Sequence, residues 1–397
     1  MTTVDTTAIS SRPNWLALDK LGILIALLAL AGAVAPFALF RANRIVLGEP
    51  RSLFDALPSL SAGVLAVILL GGFLIALMRL PRRTKLVGGF VVLAALFIAI
   101  GQSASFLTPE GDTFARVSPG AGFWLLVFAF ALLVTDALTR LRFKPLVRIA
   151  ILVAVIAAIA LLLWSGAWNQ LSMLKEYGTR AAAFWTEGRT HLVLAFGSVA
   201  IATLIGVPVG IFCYKIRPAR AAVLNTLNIV QTIPSIALFG LLIAPLAWVA
   251  ANVPGASEIG ISGIGAAPAL VALFAYSLLP IVSNTVVGLL SVSPAAVDAA
   301  KGMGMTNRQR LMAVELPLAF PVILTGLRIV LVQNIGLATI AALIGGGGFG
   351  VFVFQGIGQT AMDLVLLGAV PTVVLAFAAA VVLDAAIEMT SRGGRRP

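Results

Sequence analysis

The chain has 397 residues, 60% of them hydrophobic and only 11% charged, with a mean hydropathy of +1.07. No water-soluble domain has enough polar surface to cover that composition, so the chain is an integral membrane protein. Its formal charge of +12 does not point to nucleic acid, because the basic residues sit in short clusters at the ends of apolar runs rather than on one face.

Solid apolar runs of about 20 residues recur, the length at which a helix crosses the hydrocarbon layer. They do not alternate, so they read as helices rather than barrel strands. Ten spans are expected in chain order, at 21–40, 59–79, 86–104, 121–138, 148–165, 191–214, 222–248, 264–290, 319–343 and 364–388. The stretch before Leu21 carries Asp5, Arg12, Asp19 and Lys20 and lacks a small-residue cleavage site, so it is expected to be retained rather than removed as a signal peptide. With both termini on the cytoplasmic side, 19 of the 27 basic residues fall in inside segments and 7 in outside loops, which is the positive-inside bias.

The chain divides near residue 190. Residues 1–190 form an amino-terminal membrane region of five spans with few polar residues, and 191–390 a second region whose spans carry Pro, Gln, Asn and Ser, followed by a basic tail at 391–397. Between the halves, Trp164 to His191 is amphipathic with aromatics at both ends, and it is expected to lie along the outer membrane surface. Its Trp164, Trp168, Phe184 and Trp185 have two readings, interfacial anchors or a cage for an organic cation, of which anchoring is the commoner. The lone Cys213 sits in an apolar run as a small hydrophobe, and the lone His191 has no neighbouring metal ligands in sequence, so no metal site is expected.

One polar interlude stands out, SPAAVDAAKGMGMTNRQRLMAVELP, Ser293 to Pro317. Ser293 followed by Pro294 reads as a helix start. The helix through Asp298, Ala299 and Ala300 is expected to stop at Gly302 or Gly304. Thr306 and Gln309 have capping-box spacing for a second short helix that ends before Pro317. Helix, glycine bend and helix have two readings, a knob suited to a partner's groove or an ordinary solvated loop with incidental helical turns.

This interlude resembles the signature of binding-protein-dependent ABC importer permeases, Glu-Ala-Ala, then Gly, then an aliphatic residue and Leu-Pro. The matching residues are Asp298, Ala299, Ala300, Gly304, Val314, Leu316 and Pro317, with Asp for Glu and Val for the usual Ile. Three further stretches, QTIPSIALFGLLI (231–243), GIGAAPALVALFAYSLLPIVSNT (263–285) and IGGGGFGVFVFQGI (344–357), are similar to permeases of osmoprotectant importers, whose substrates are glycine betaine, choline, carnitine and related quaternary amines. The likeness covers about 190–390; the first five spans resemble an amino-terminal extension that some of these permeases carry.

Pro234 falls near mid-membrane, where it frees backbone groups that Gln231, Thr232 and Ser235 can satisfy. Tyr276 and Ser277, then Gln333 and Asn334, are polar at comparable depth in the next two working spans. Together they read as a polar translocation path, with interhelical hydrogen bonding as the alternative. Gly345, Gly346, Gly347, Gly348 and Gly350 satisfy G-x-G-x-x-G but follow no soluble βαβ pattern, so they read as backbone at the outer mouth, a hinge or close-packed turns. Arg328, inside a span, has two readings: snorkelling, or pairing within the bundle. Asp384 and Glu388 are expected at the cytoplasmic interface with Arg392.

The resemblance implies an all-α membrane protein with a type I ABC importer permease core and alternating access. It implies no covalent chemistry in this chain. ATP and Mg would be bound by a separate cytoplasmic ABC ATPase docked on 293–317, since no Walker A sequence occurs in the chain. Further implied partners are an extracytoplasmic solute-binding protein, a second permease copy and the lipid of the cell's inner membrane. An ABC permease for amino acids or another small solute is the nearer alternative. A secondary transporter would show midplane carboxylates, and a membrane enzyme would cluster nucleophiles and bases; neither pattern is present in the working spans.

Overall fold

The computed structural model describes residues 18–44 and 46–392. Asp5 and Arg12 of the amino-terminal stretch and most of the basic tail, with Arg395 and Arg396, lie outside the described residues. Among the described residues, nine helices are long and apolar enough to cross a membrane, and a tenth, shorter apolar helix opens the chain.

The chain forms two compact units, residues 1–143 with 156–175 and residues 144–155 with 176–397. In the first, α1 (Lys20–Val34), α2 (Ser59–Leu77), α3 (Arg82–Leu107) and α4 (Ala121–Leu141) surround a core that includes Leu65, Leu96, Ile100, Phe123 and Phe130. α1 is shorter than the expected span because Ala35 precedes Pro36, and a residue before proline is driven to extended backbone; Ala35 has φ −70°, ψ 158°. The chain then enters a small antiparallel sheet absent from the sequence expectation: β1 (Ala38–Arg41) pairs with β2 (Glu49–Arg51) on one side and β3 (Arg116–Pro119) on the other, with Leu39 opposite both Pro50 and Ser118. Helix α1 approaches its neighbours at small residues: a Cβ on Gly22 would lie 2.0 Å from the Ala76 carbonyl oxygen. Such close approach is how membrane helices gain dispersion energy where lipid offers no hydrophobic drive.

Helix α5 (Pro145–Trp164) follows, with only Pro145 buried. Helix α6 (Ser172–Lys215) then includes most of the 164–191 stretch: the chain is helical from Ser172 through His191 to Lys215, bent at Arg180, whose φ −129° and ψ 19° leave the helical region.

The second unit continues with α7 (Arg217–Thr232), α8 (Ser235–Asn252) and α9 (Ala266–Leu290). The span expected at 222–248 is therefore two helices. Ile233 is extended before Pro234, and Pro234 starts α8, where its missing N–H costs nothing. After the interlude come α12 (Leu316–Leu337), a 3₁₀ turn at Ile340–Ile344, α13 (Gly350–Gly358) and α14 (Met362–Arg392), the interlude itself supplying α10 (Pro294–Gly302) and α11 (Asn307–Arg310). The core between α6, α9 and α12 includes Leu194, Ala202, Leu273, Val330 and Ile335.

Candidate functional site

The interlude folds as a capped helix, a left-handed glycine and a second capped turn. The Ser293 side chain accepts from the Ala296 amide, and Pro294 occupies the first turn. At the other end Gly304 has φ +76°, its N–H donates to the Lys301 carbonyl at 2.9 Å, and the Met305 N–H donates to the Ala300 carbonyl at 3.1 Å. That pair of bonds is a Schellman closure, which needs a left-handed residue where glycine alone avoids a Cβ penalty. The Thr306–Gln309 capping box is complete. No neighbour lies within 4 Å of a Cβ placed on Gly304, so its constraint is backbone conformation rather than space.

Signature residues divide by face. Asp298 and Ala299 point outward, and Asp298 carries only an exposed pair with Lys301 at 3.1 Å, which contributes little to stability. Ala300 points the other way and is buried, so it holds α10 down rather than presenting itself to a partner. Beneath α10, Ala296 and Val297 rest on Leu289, Val292, Leu311, Ala319 and Ile323. The second helix does not end before Pro317, as the sequence suggested. After α11 the chain makes a π-turn at Leu311–Glu315 and runs straight into α12, with Pro317 tolerated in the first turn. Val314 and Leu316 are half-buried and Pro317 exposed on this continuous stretch.

The expected path residues are brought together in two groups. Gln231 Nε2 donates to the Tyr276 carbonyl at 2.8 Å, and the Tyr276 hydroxyl donates to the Ile233 carbonyl at 2.5 Å, so α9 satisfies a group freed by the break before Pro234. Asn334 Nδ2 donates at 2.8 Å to both Ser198 Oγ on α6 and Ser277 Oγ on α9, and all three side chains are fully buried within the chain. In this conformation Ser277 and Asn334 bind helices together instead of facing an open path. Thr232 and Pro234 are exposed, Ser235 and Gln333 half-buried. Ser198 was missed in the sequence; its signal is a hydroxyl inside an apolar run, which one helix alone satisfies by bonding to the Leu194 carbonyl.

The glycine run forms a close-packed turn in this conformation. Gly345, Gly347 and Gly348 have φ of +76°, +74° and +87°. A Cβ on Gly350 would lie 1.8 Å from the Thr339 carbonyl oxygen, and one on Gly346 2.9 Å from that of Ala341. The Gly348 N–H donates to Glu187 Oε2 at 2.6 Å, and the buried His191 ring packs 5.1 Å from Phe349. Phe184 belongs to the same patch, with Tyr177 and Phe349 rings each 5.2 Å away. Trp168 packs in the first unit, donating to the Phe97 carbonyl at 2.9 Å. Among the described residues, no group of three or more His, Cys, Asp or Glu side chains is placed to hold a metal.

Arg328 pairs with Asp384 at 3.1 Å, which resolves its two readings in favour of pairing within the bundle. Glu388 pairs with Arg148.

Residues 190–394 match the family described as binding-protein-dependent transport system inner membrane component, and residues 19–174 match the N-terminal domain of ABC transporter permease YehY. The osmoprotectant import permease protein OsmW of Salmonella typhimurium is 43% identical over 194 residues, 49% of this chain and 83% of that protein. The glycine betaine/carnitine/choline transport system permease protein OpuCB of Bacillus subtilis is 35% identical over 202 residues, 51% of this chain and 84% of that protein. Among solved structures, an inward-facing MetNI methionine ABC transporter aligns with a TM-score of 0.45 at 24% identity, covering 54% of this chain and 97% of that one.

Proposed function

The chain belongs to the binding-protein-dependent transport system inner membrane components, and from that premise we propose that it is the permease subunit of an ATP-driven importer of osmoprotectants. Glycine betaine, choline, carnitine or a related quaternary amine is the substrate class, in keeping with the relatives' names. The permease performs no covalent step. A separate cytoplasmic ABC ATPase binds ATP and Mg and docks on residues 293–317; an extracytoplasmic binding protein delivers solute; a second permease copy completes the path; and both termini lie in the cytoplasm.

The observation that carries this reading is the shape of the interlude. Its outward face is small and bears one exposed carboxylate, Asp298, while its inward face is fixed by Ala300 and the Schellman closure at Gly304. A rigid, small-faced knob can enter a groove and pass a displacement to the spans. Closure of the ATPase on nucleotide would then favour one of two path conformations through its differential affinity for them.

Replacing Gly304 by valine forces a β-branched residue into left-handed backbone, a strain of about 1–2 kcal/mol. Uptake of radiolabelled glycine betaine in osmotically stressed cells is expected to fall to background while the chain remains inserted in the membrane. Wild-type uptake by Gly304→Val would refute docking through this segment, and failure of the wild-type chain to copurify with an ATPase would refute the importer reading.

A further inference from the structure

The π-turn at the end of the interlude, leading into α12, contains an acid that the signature does not include. Glu315 is 1% exposed, and its Oε1 accepts from Arg310 Nε at 2.6 Å. These two residues are five apart. In an α-helix each residue advances about 100°, so residues five apart sit about 140° apart around the axis and cannot face each other. The π-turn removes that obstacle: the Leu316 N–H bonds to the Leu311 carbonyl, five residues back, and the wider turn brings Arg310 and Glu315 to one side. The ion pair therefore exists only in the π register, and each supports the other.

Two further contacts place this pair at a mechanical junction. The Tyr214 hydroxyl, near the end of α6, lies beside the Glu315 carboxylate. Leu311, the first residue of the π-turn, is buried in the cluster on which Ala296 and Val297 of α10 rest. The same short stretch thus touches the interlude, α6 and the start of α12. A π-turn has one residue more than an α-helical turn, so its conversion to α would rotate everything before it by about 100° relative to α12.

We infer that Glu315 is a positioning residue for transport: its pair with Arg310 locks the π-turn and so fixes the angular register at which the 293–310 segment drives α12. This inference rests on the reading of 293–317 as the ATPase-facing segment. Removing the carboxylate leaves Arg310, which is 20% exposed and can turn to water, so Glu315→Gln need not strand a buried cation. The register would be lost while the caps and bend within the knob stayed intact.

The test uses the full chain in two arms. In lipid nanodiscs, amide hydrogen exchange at Leu311–Leu316 should rise on the order of tenfold in Glu315→Gln and return towards wild type in the swapped pair Arg310→Glu/Glu315→Arg. In cells, uptake of radiolabelled choline should fall on the order of tenfold in Glu315→Gln. ATP turnover of the copurified assembly should fall by a clearly smaller factor than uptake, because a residue that sets register weakens the link between motor and path more than the motor itself. Loss of uptake and ATP turnover by the same factor would mark a merely structural role and overturn the inference. So would wild-type exchange in Glu315→Gln, or a swapped pair no better than the single variant. A wild-type chain that takes up no choline would count against the transport reading alone, leaving the exchange arm to decide the lock.

Discussion

The two units hold their helices by different means. In the first, the span centres meet through apolar packing, with Leu96, Ile100 and Phe130 completely enclosed and glycines at the closest contacts. Polar links between its elements lie at helix ends, as where Lys85 pairs with Asp19 at 2.6 Å, or at a span-to-loop contact, as where Trp168 reaches the Phe97 carbonyl. In the second unit, polar groups enter the span centres: Asn334 ties α6 to α9 and α12, and Tyr276 bonds backbone at the break before Pro234. Apolar packing by dispersion is dense and fixes one arrangement. Hydrogen bonds and helix breaks can be exchanged for others at modest cost, about 0.6 kcal/mol per polar contact in membrane interiors, so a unit built with them can hold two arrangements of similar energy. The contrast is between a unit packed into one arrangement and a unit whose contacts can be exchanged.

That contrast can be broken by mutation. The largest stability effect is expected from Phe130→Ala, which empties a fully enclosed ring site and should cost about 3–5 kcal/mol. Thermal unfolding of the detergent-solubilised chain reads this. Uptake per inserted molecule should remain near wild type; a specific loss of uptake would remove the static reading of the first unit. Asn334→Leu should cost less, about 1–2 kcal/mol, because Ser198 and Ser277 keep their own i−4 carbonyl bonds. Its uptake should nevertheless fall further than its stability. An Asn334→Leu chain that transports normally would mean the buried polar cluster is only glue. The smallest effect is expected for Glu388→Gln: its pair with Arg148 is partly exposed and should be worth under about 1 kcal/mol, so unfolding temperature and uptake should both be nearly unchanged.

Much of the fold was legible in the sequence because bilayer physics leaves few choices. Apolar runs of span length must be helices, and their order along the chain follows from hydropathy. Local rules went further in the interlude: the Ser293 cap, the stop at Gly304 and the Thr306–Gln309 box each involve residues within five positions of one another. The same locality explains the failures. Pro234 was visible as a break, yet hydropathy, which averages across it, merged α7 and α8 into one span. Pro317 looked like a terminator because proline is judged by what precedes it, and a π-turn upstream allowed the helix to continue through its first turn.

Glu315 shows the limit most clearly. In the sequence it is one acid between Val314 and Leu316, five positions from an arginine, and that spacing implies no contact in an α-helix. By itself the sequence determined a multi-span helical membrane protein, the caps and bend of its polar interlude and the family that interlude resembles, all set by hydropathy and short-range backbone chemistry. Tertiary structure alone decided that Asn334 finds Ser198 at a separation of 136 residues, that Gly350 must admit the Thr339 carbonyl, and that the helix after the interlude winds in the π register. Those outcomes depend on which faces meet, and helix faces are chosen by packing among all the spans at once.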